Sequence, residues 1–238
     1  MCTPRILLHH LPRRKPSLPH PNGRAYTASP TPSLTPLSLS LRTSMRSLPH
    51  PVIILTTGSL NSPSSSSSRT GVGITLSTLT CLSLTPHPLI SFNIKTPSRT
   101  SSAIHAHPSG AFTVHVLSST THAAFVADAF AQVAAVPGEK ADPWGKLRGS
   151  VRVDDSTGVP ELGGEDGVVA RWRCRKYRVV QVEDHEIWVG RVVSVEVLAE
   201  GGLALGYADR RFRGMGKVVV PEFGKEGDVV KVGEEEVG

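Results

Sequence analysis

Strand-like segments fill this chain from Val52 onward, only two stretches carry a helical period, and strand and helix never alternate regularly. That pattern argues against a doubly wound parallel sheet and for an antiparallel barrel with peripheral helices. Val52–Thr57 (VIILTT) reads as a buried strand. Gly71–Leu84 is β-branched and hydroxyl-rich, and Leu89–Lys95 and Phe112–Leu117 are further strands. Beyond Val168 the chain reads as all β. Ala170, Trp172 and Cys174 share one face, while Arg171, Arg173 and Arg175 take the other. The phase slips at Lys176–Tyr177, which predicts a bulge. Ile187–Leu198 is a long strand, with Val193, Val195 and Val197 expected inward and Ser194 and Glu196 outward. Leu203–Tyr207 and Lys217–Val220 complete the sheet. The two helices are Thr100–His107, ended by Pro108 and Gly110, and Thr121–Gln132, closed by Pro137-Gly138. In the second, Ala123, Val126, Ala127 and Phe130 form one apolar face.

The rest of the sequence punctuates this pattern. Residues 1–44 hold no acid but carry Arg5, Arg13, Arg14, Lys15, Arg24 and Arg42 among many Ser and Pro. They resemble a mitochondrial transit peptide, or equally a disordered basic tail. Prolines at 12, 16, 19, 21, 30, 32 and 36 leave room for a short helix only at Ile6–Leu11. The ordered domain is expected over 45–238, with a flexible serine-rich loop at 59–70 and a long loop at 138–167 that has one short element near Trp144. No apolar run approaches the roughly 18 residues of a membrane helix, so the reading is of a soluble protein, mitochondrial or cytoplasmic.

Charge is distributed unevenly. The first of the 20 acidic residues is Asp128, so none precedes it, while 10 of the 26 Lys and Arg do. An acid-free half of this kind favours an anionic partner. Cys2, Cys81 and Cys174 are too scattered for a disulfide framework or a zinc site, and His105 and His107 read as a solvated pair rather than metal ligands. Nucleic-acid binding through the basic half lacks the aromatic interleaving of a stacking platform. No Gly-x-Gly-x-x-Gly follows a strand, and neither a P-loop nor a Gly-x-Ser-x-Gly elbow occurs. Pro97-Ser98-Arg99-Thr100, however, opens a helix. Ser98 or Thr100 suits an N-cap, the first-turn N–H groups attract anions, and Arg99 adds donors that match phosphate.

Several blocks together resemble the flavin reductase-like family. Gly73–Pro86 (GITLSTLTCLSLTP) is similar to its signature stretch, and Ser98-Arg99-Thr100 to the Ser-x-Thr step before its short helix. Phe112–Leu117 matches its Phe-x-Val-x-Val-Leu strand. Gly158–Leu162 (GVPEL) precedes a strand ending in Cys174, as in the family. Glu183-Asp184-His185 with Gly190-Arg191-Val192 resembles Gly-Asp-His-x-x-x-x-Gly-x-Val, and Leu205-Gly206-Tyr207 with Arg211-Phe212-Arg213 resembles the family's ending. The sequence departs from the family at Thr85, His115 and Glu183, where Asp, Asn and Gly are usual.

The resemblance implies an antiparallel split β-barrel that binds FMN, with FAD as the alternative, and takes hydride from NAD(P)H as co-substrate. It implies that Thr75, Leu76, Ser77 and Thr78 line the flavin ring and that Ser98, Arg99 and Thr100 seat its phosphate. His185 would be the catalytic-end residue, positioning flavin and nicotinamide. Relatives are usually homodimers, so a dimer is expected. A flavin-binding carrier, sensor or assembly protein without turnover is the competing reading.

Overall fold

A computed structural model describes residues 34–58, 71–131, 142–149, 151–201 and 203–214. The chain divides into two compact units at Ser40/Leu41. The first element, α1 (Pro36–Met45), lies in the segment expected to lack structure. Pro36 stands at the start of the helix, where its missing N–H costs nothing, and the Thr35 hydroxyl accepts the Ser38 N–H at 3.1 Å. The expectations at Ile6–Leu11, 59–70, 137–138 and 217–220 lie outside the described residues.

The main sheet has seven strands: β2 (Ile53–Thr57), β3 (Val72–Leu76), β4 (Thr80–Ser83), β5 (Leu89–Lys95), β6 (Ala111–Leu117), β9 (Val168–Val182) and β10 (His185–Val197). Their spatial order is β3-β2-β6-β9-β10-β5-β4, and every pairing is antiparallel. The hydroxyl-rich stretch Gly71–Leu84 is thus two strands at opposite edges, joined by residues 77–79. Seven strands spaced about 4.8 Å apart would hold the edges roughly 29 Å apart in a flat sheet. Four extended Cα steps reach only about 14 Å. The sheet must therefore curl until its edges approach, and no ladder joins β3 to β4 among the described residues. The result is the split barrel the sequence predicted.

Two cores flank the sheet. Inside the barrel lie Ile53, Leu55, Leu76, Ile90, Phe92, Ile94, Phe112, Val114, Cys174 and Trp188, with Ile104 of α2 (Arg99–Ala106). Phe92 stacks on Trp188 at 6.2 Å and meets Phe112 edge-on at 5.5 Å. Gly190 lies on this side because a Cβ there would come within 2.5 Å of Phe112. Outside, the predicted face of α3 (Thr121–Ala131) covers Val52, Ile54, Leu117, Leu162, Val168 and Leu205. Burial on both sides explains why Val52–Thr57 is a continuous apolar run rather than an alternating one.

The long β9–β10 hairpin carries the predicted bulge: Arg178 pairs with Val189 and Lys176 with Gly190, leaving Tyr177 unpaired. A second bulge falls at Val193. Here one expectation fails. Val193, Val195 and Val197 are 53%, 59% and 62% exposed, whereas Ser194 and Glu196 are half-buried. Val195 and Val197 do share a face with Trp172 and Ala170, but β5 pairs with β10 only over His185–Arg191. Beyond that point β10 is an edge and its face is left uncovered.

The opposite face carries Arg171 and Arg173. Arg171 is buried and sits 3.2 Å from Glu161 and 2.7 Å from Glu196. Arg173 grips Glu161 with two bonds of 2.6 and 2.8 Å and reaches Asp154 at 3.1 Å. These ion pairs fasten the expected long loop, which holds a short ladder of β7 (Arg152–Val153) with β8 (Pro160–Glu161) and one-turn helices at Trp144–Lys146 and Gly164–Asp166. The last described strands, β11 (Gly206–Ala208) and β12 (Arg211–Arg213), form a separate sheet with β1 (His50–Pro51) rather than extending the main one.

Candidate functional site

Of the residues singled out from the sequence, Ser98, Arg99 and Thr100 follow the end of β5, His185 stands opposite that end and Thr78 bonds the strand at Asn93. This strand ends at Lys95, and α2 begins four residues later. Ser98 is the N-cap, with extended backbone and a side chain that accepts the Ser101 N–H at 3.3 Å. The first turn of α2 holds no acid, and Arg99 makes no ion pair among the described residues. Its opening N–H groups have no intrahelical partner, so the helix end presents donors and partial positive charge. Thr100 and Ser101 are buried against the barrel.

On the neighbouring strand, His185 stands opposite Lys95 at the hairpin tip. Its Nδ1 lies 2.7 Å from an Asp184 carboxylate oxygen, and the Lys95 ammonium is 3.3 Å from the other. Hydrogen bonds from His185 and Lys95 hold the Asp184 carboxyl below its usual range. The Thr96 N–H and hydroxyl both donate to the Asp184 carbonyl, at 2.8 and 3.2 Å, so the turn into α2 is tied to the tip.

The link between the sheet's edges reaches the same strand. Thr78 Oγ1 accepts the Asn93 N–H at 2.9 Å. Leu76 is buried in the barrel core, and Ser77 is half-buried. Thr75 is different. It sits opposite Ile54 on the outer face, and its hydroxyl donates to the Ala127 carbonyl of α3 at 2.6 Å. Its side chain therefore anchors a helix and leaves only its backbone for any ligand on the barrel side.

Sequence reading missed Glu186. Ser101 Oγ donates a short hydrogen bond to its Oε2, Trp188 Nε1 donates to the same oxygen at 3.1 Å, and His105 Nε2 lies 3.2 Å from Oε1. Burial opposes ionisation of Glu186, but these donors outweigh it and hold the carboxyl below its ordinary value. The signal was present in the sequence: Ser101 and His105 are four apart on α2, and Glu186 shares the face of Trp188.

The two histidines read as a solvated pair do not behave alike. His105 is half-exposed and tilts over Trp188 at 4.7 Å. His107 is buried at the C-cap of α2. Its Nε2–H donates to the Thr157 carbonyl at 2.9 Å, and its Nδ1 accepts the Ser109 and Ala111 N–H groups at 3.3 Å. No cluster able to hold a metal occurs among the described residues.

Against known proteins, the family model described as flavin reductase like domain matches residues 45–216. The chain resembles the NADH:FAD oxidoreductase SgcE6 of Streptomyces globisporus, solved with NAD and FAD fragments. Identity is 21%, covering 78% of this chain and 98% of that one, with a TM-score of 0.61. BorF, the flavin reductase component of a bacterial two-component tryptophan halogenase, is 26% identical, covering 76% of this chain and 99% of its own, with a TM-score of 0.59. The flavin reductase HpaC complexed with NADP+ is 21% identical, covering 75% and 97%, with a TM-score of 0.59.

Proposed function

The chain belongs to the flavin reductase-like domain family, and we infer from this that it is an oxidoreductase passing hydride from a reduced pyridine nucleotide to flavin. We propose FMN as the flavin. The observation that carries this choice is the start of α2, a capped, acid-free helix end with an unpaired Arg99, built on the strand that also meets His185. A terminal phosphate monoester suits such a seat.

The residues fit the group. Arg99 and the first-turn N–H groups of α2 would hold the phosphate, with Ser98 and Thr100 shaping the turn. Leu76 would form part of the wall, and Ser77, whose hydroxyl has no partner among the described residues, would bond the ring edge. Thr78 is held by Asn93 and Thr75 by Ala127, so both would act through backbone groups. When bound, the flavin ring supplies the redox chemistry by accepting hydride from nicotinamide. The chain's task is to set geometry, and His185, fixed by Asp184, is placed to orient the two rings.

A homodimer is part of the proposal, supported by the exposed valine face of β10. A mitochondrial or cytoplasmic location remains the proposed setting. None of the described helices is long and apolar enough to cross a membrane.

Steady-state oxidation of NADH and of NADPH by the full chain, with FMN or FAD added, tests the reading. Flavin-dependent oxidation is expected, with FMN the better acceptor. His185→Ala should slow it by at least roughly tenfold, the scale of a misplaced reactant pair. Binding of FMN without oxidation of either nucleotide would leave a carrier or sensor in place of an enzyme.

A further inference from the structure

The short helix α2 carries the proposed phosphate seat, yet it has few anchors. It runs eight residues and buries one large apolar side chain, Ile104, besides Thr100 and Ser101. A helix this short is not stable by itself, and one apolar contact does not fix its rotation about its own axis. A two-point polar contact does. Ser101 and His105 lie on one face of α2, and both meet Glu186, one residue from His185 on the barrel side of β10. Trp188, wholly buried two residues further along, holds the second lone-pair site of Glu186 Oε2. The carboxylate is thereby fixed from its own strand and offers both oxygens to the helix.

We propose that Glu186 is a positioning residue that sets the α2 N-terminus for the phosphate of FMN and couples that seat to the hairpin tip bearing His185. The inference rests on the flavin reading above. Ser101 is the third residue of the helix, so its bond to Glu186 acts on the same turn whose N–H groups would receive the phosphate. A second connection, from Thr96 to the Asp184 carbonyl, joins the two pieces through backbone atoms. With Glu186 removed, that backbone tie and the apolar contacts of the barrel core remain, the Trp188 indole N–H loses its acceptor, and α2 is free to rotate and shift.

The test compares FMN with riboflavin, which shares the ring and lacks the phosphate. Affinities would be measured by quenching of flavin fluorescence with the full chain and its Glu186→Ala, Glu186→Gln and Arg99→Ala variants. Loss of a half-buried, multiply hydrogen-bonded charge predicts roughly tenfold weaker FMN binding in Glu186→Ala, with riboflavin almost unchanged. Glu186→Gln keeps the shape and one acceptor, so it should show a smaller loss in the same direction, and it stands in if Glu186→Ala does not fold. Equal weakening of both ligands, or weakening of neither, would overturn the proposal by making Glu186 a general structural residue or an idle one. If Arg99→Ala weakens FMN and neither Glu186 variant does, only the coupling falls. If Arg99→Ala leaves FMN binding intact, α2 is not the phosphate seat and both readings fall.

Discussion

Two residues show how single side chains are constrained by the fold. His115 is fully buried. Its Nδ1–H donates to the Ile54 carbonyl at 3.1 Å, and its Nε2 accepts the Leu162 N–H at 3.1 Å. Burial pushes its pKa down to about 3 from an ordinary 6.5. The unfolded chain therefore takes up a proton below about 6.5 that the folded chain refuses. Stability from this group is complete above that pH and declines toward pH 3, by about 1.4 kcal/mol per pH unit. Thermal melts across pH 7 to 5 should show that decline, and His115→Asn should be less sensitive to acid over the same range. An identical slope in the variant would show that His115 is not the source. The second residue, Glu183, sits at the hairpin tip with φ of 50°, a left-handed conformation that disfavours a side chain. The family's usual residue there is Gly. Glu183→Gly should stabilise the chain, by up to about 1 kcal/mol once the flexibility of unfolded Gly is deducted. A lower melting temperature would mean that the Glu183 side chain contributes more than its backbone strain costs.

The long 142–167 segment depends on charges. Glu161 is almost fully buried and is shared by Arg171 and Arg173. Removing it leaves the buried Arg171 guanidinium with Glu196 as its one carboxylate partner, so Glu161→Ala should destabilise the fold by about 3 kcal/mol in denaturant titration, the lower end for a broken buried pair. A loss under about 1 kcal/mol, the range of an exposed pair, would show that Glu196 and water suffice for Arg171. Much of each element was legible beforehand. The α3 face, the bulge at Tyr177 and the capped start of α2 all follow from local spacing and local chemistry. What escaped was set by distant partners. Alternation in β10 assigned Val193, Val195 and Val197 to a common stripe, but coverage of that stripe depends on where β5 stops pairing. Arg171 and Arg173 share a face by alternation, yet only the fold brings Glu161 and Glu196 to them. In the candidate site, Thr75 looked like a ring donor because nothing local shows that α3 uses its hydroxyl. Glu186 was passed over because its partners lie on another element.

At the scale of the whole molecule, a curled sheet with a split leaves edges and faces to be covered. The exposed valines of β10 lie beside Trp172, an apolar surface that a second copy of the chain would cover. Sedimentation should give a dimer, and Val195→Lys should shift it toward monomer. A monomeric parent chain would rule the dimer out.

Reduction of flavin by this barrel can be watched directly. The most direct measurement mixes the full chain, loaded with stoichiometric FMN, against NADH and then NADPH without oxygen, and follows the flavin's visible absorbance. Rapid bleaching with at least one nucleotide is expected, slowed in His185→Ala. Absorbance that stays constant with both nucleotides, while FMN remains bound, would contradict it.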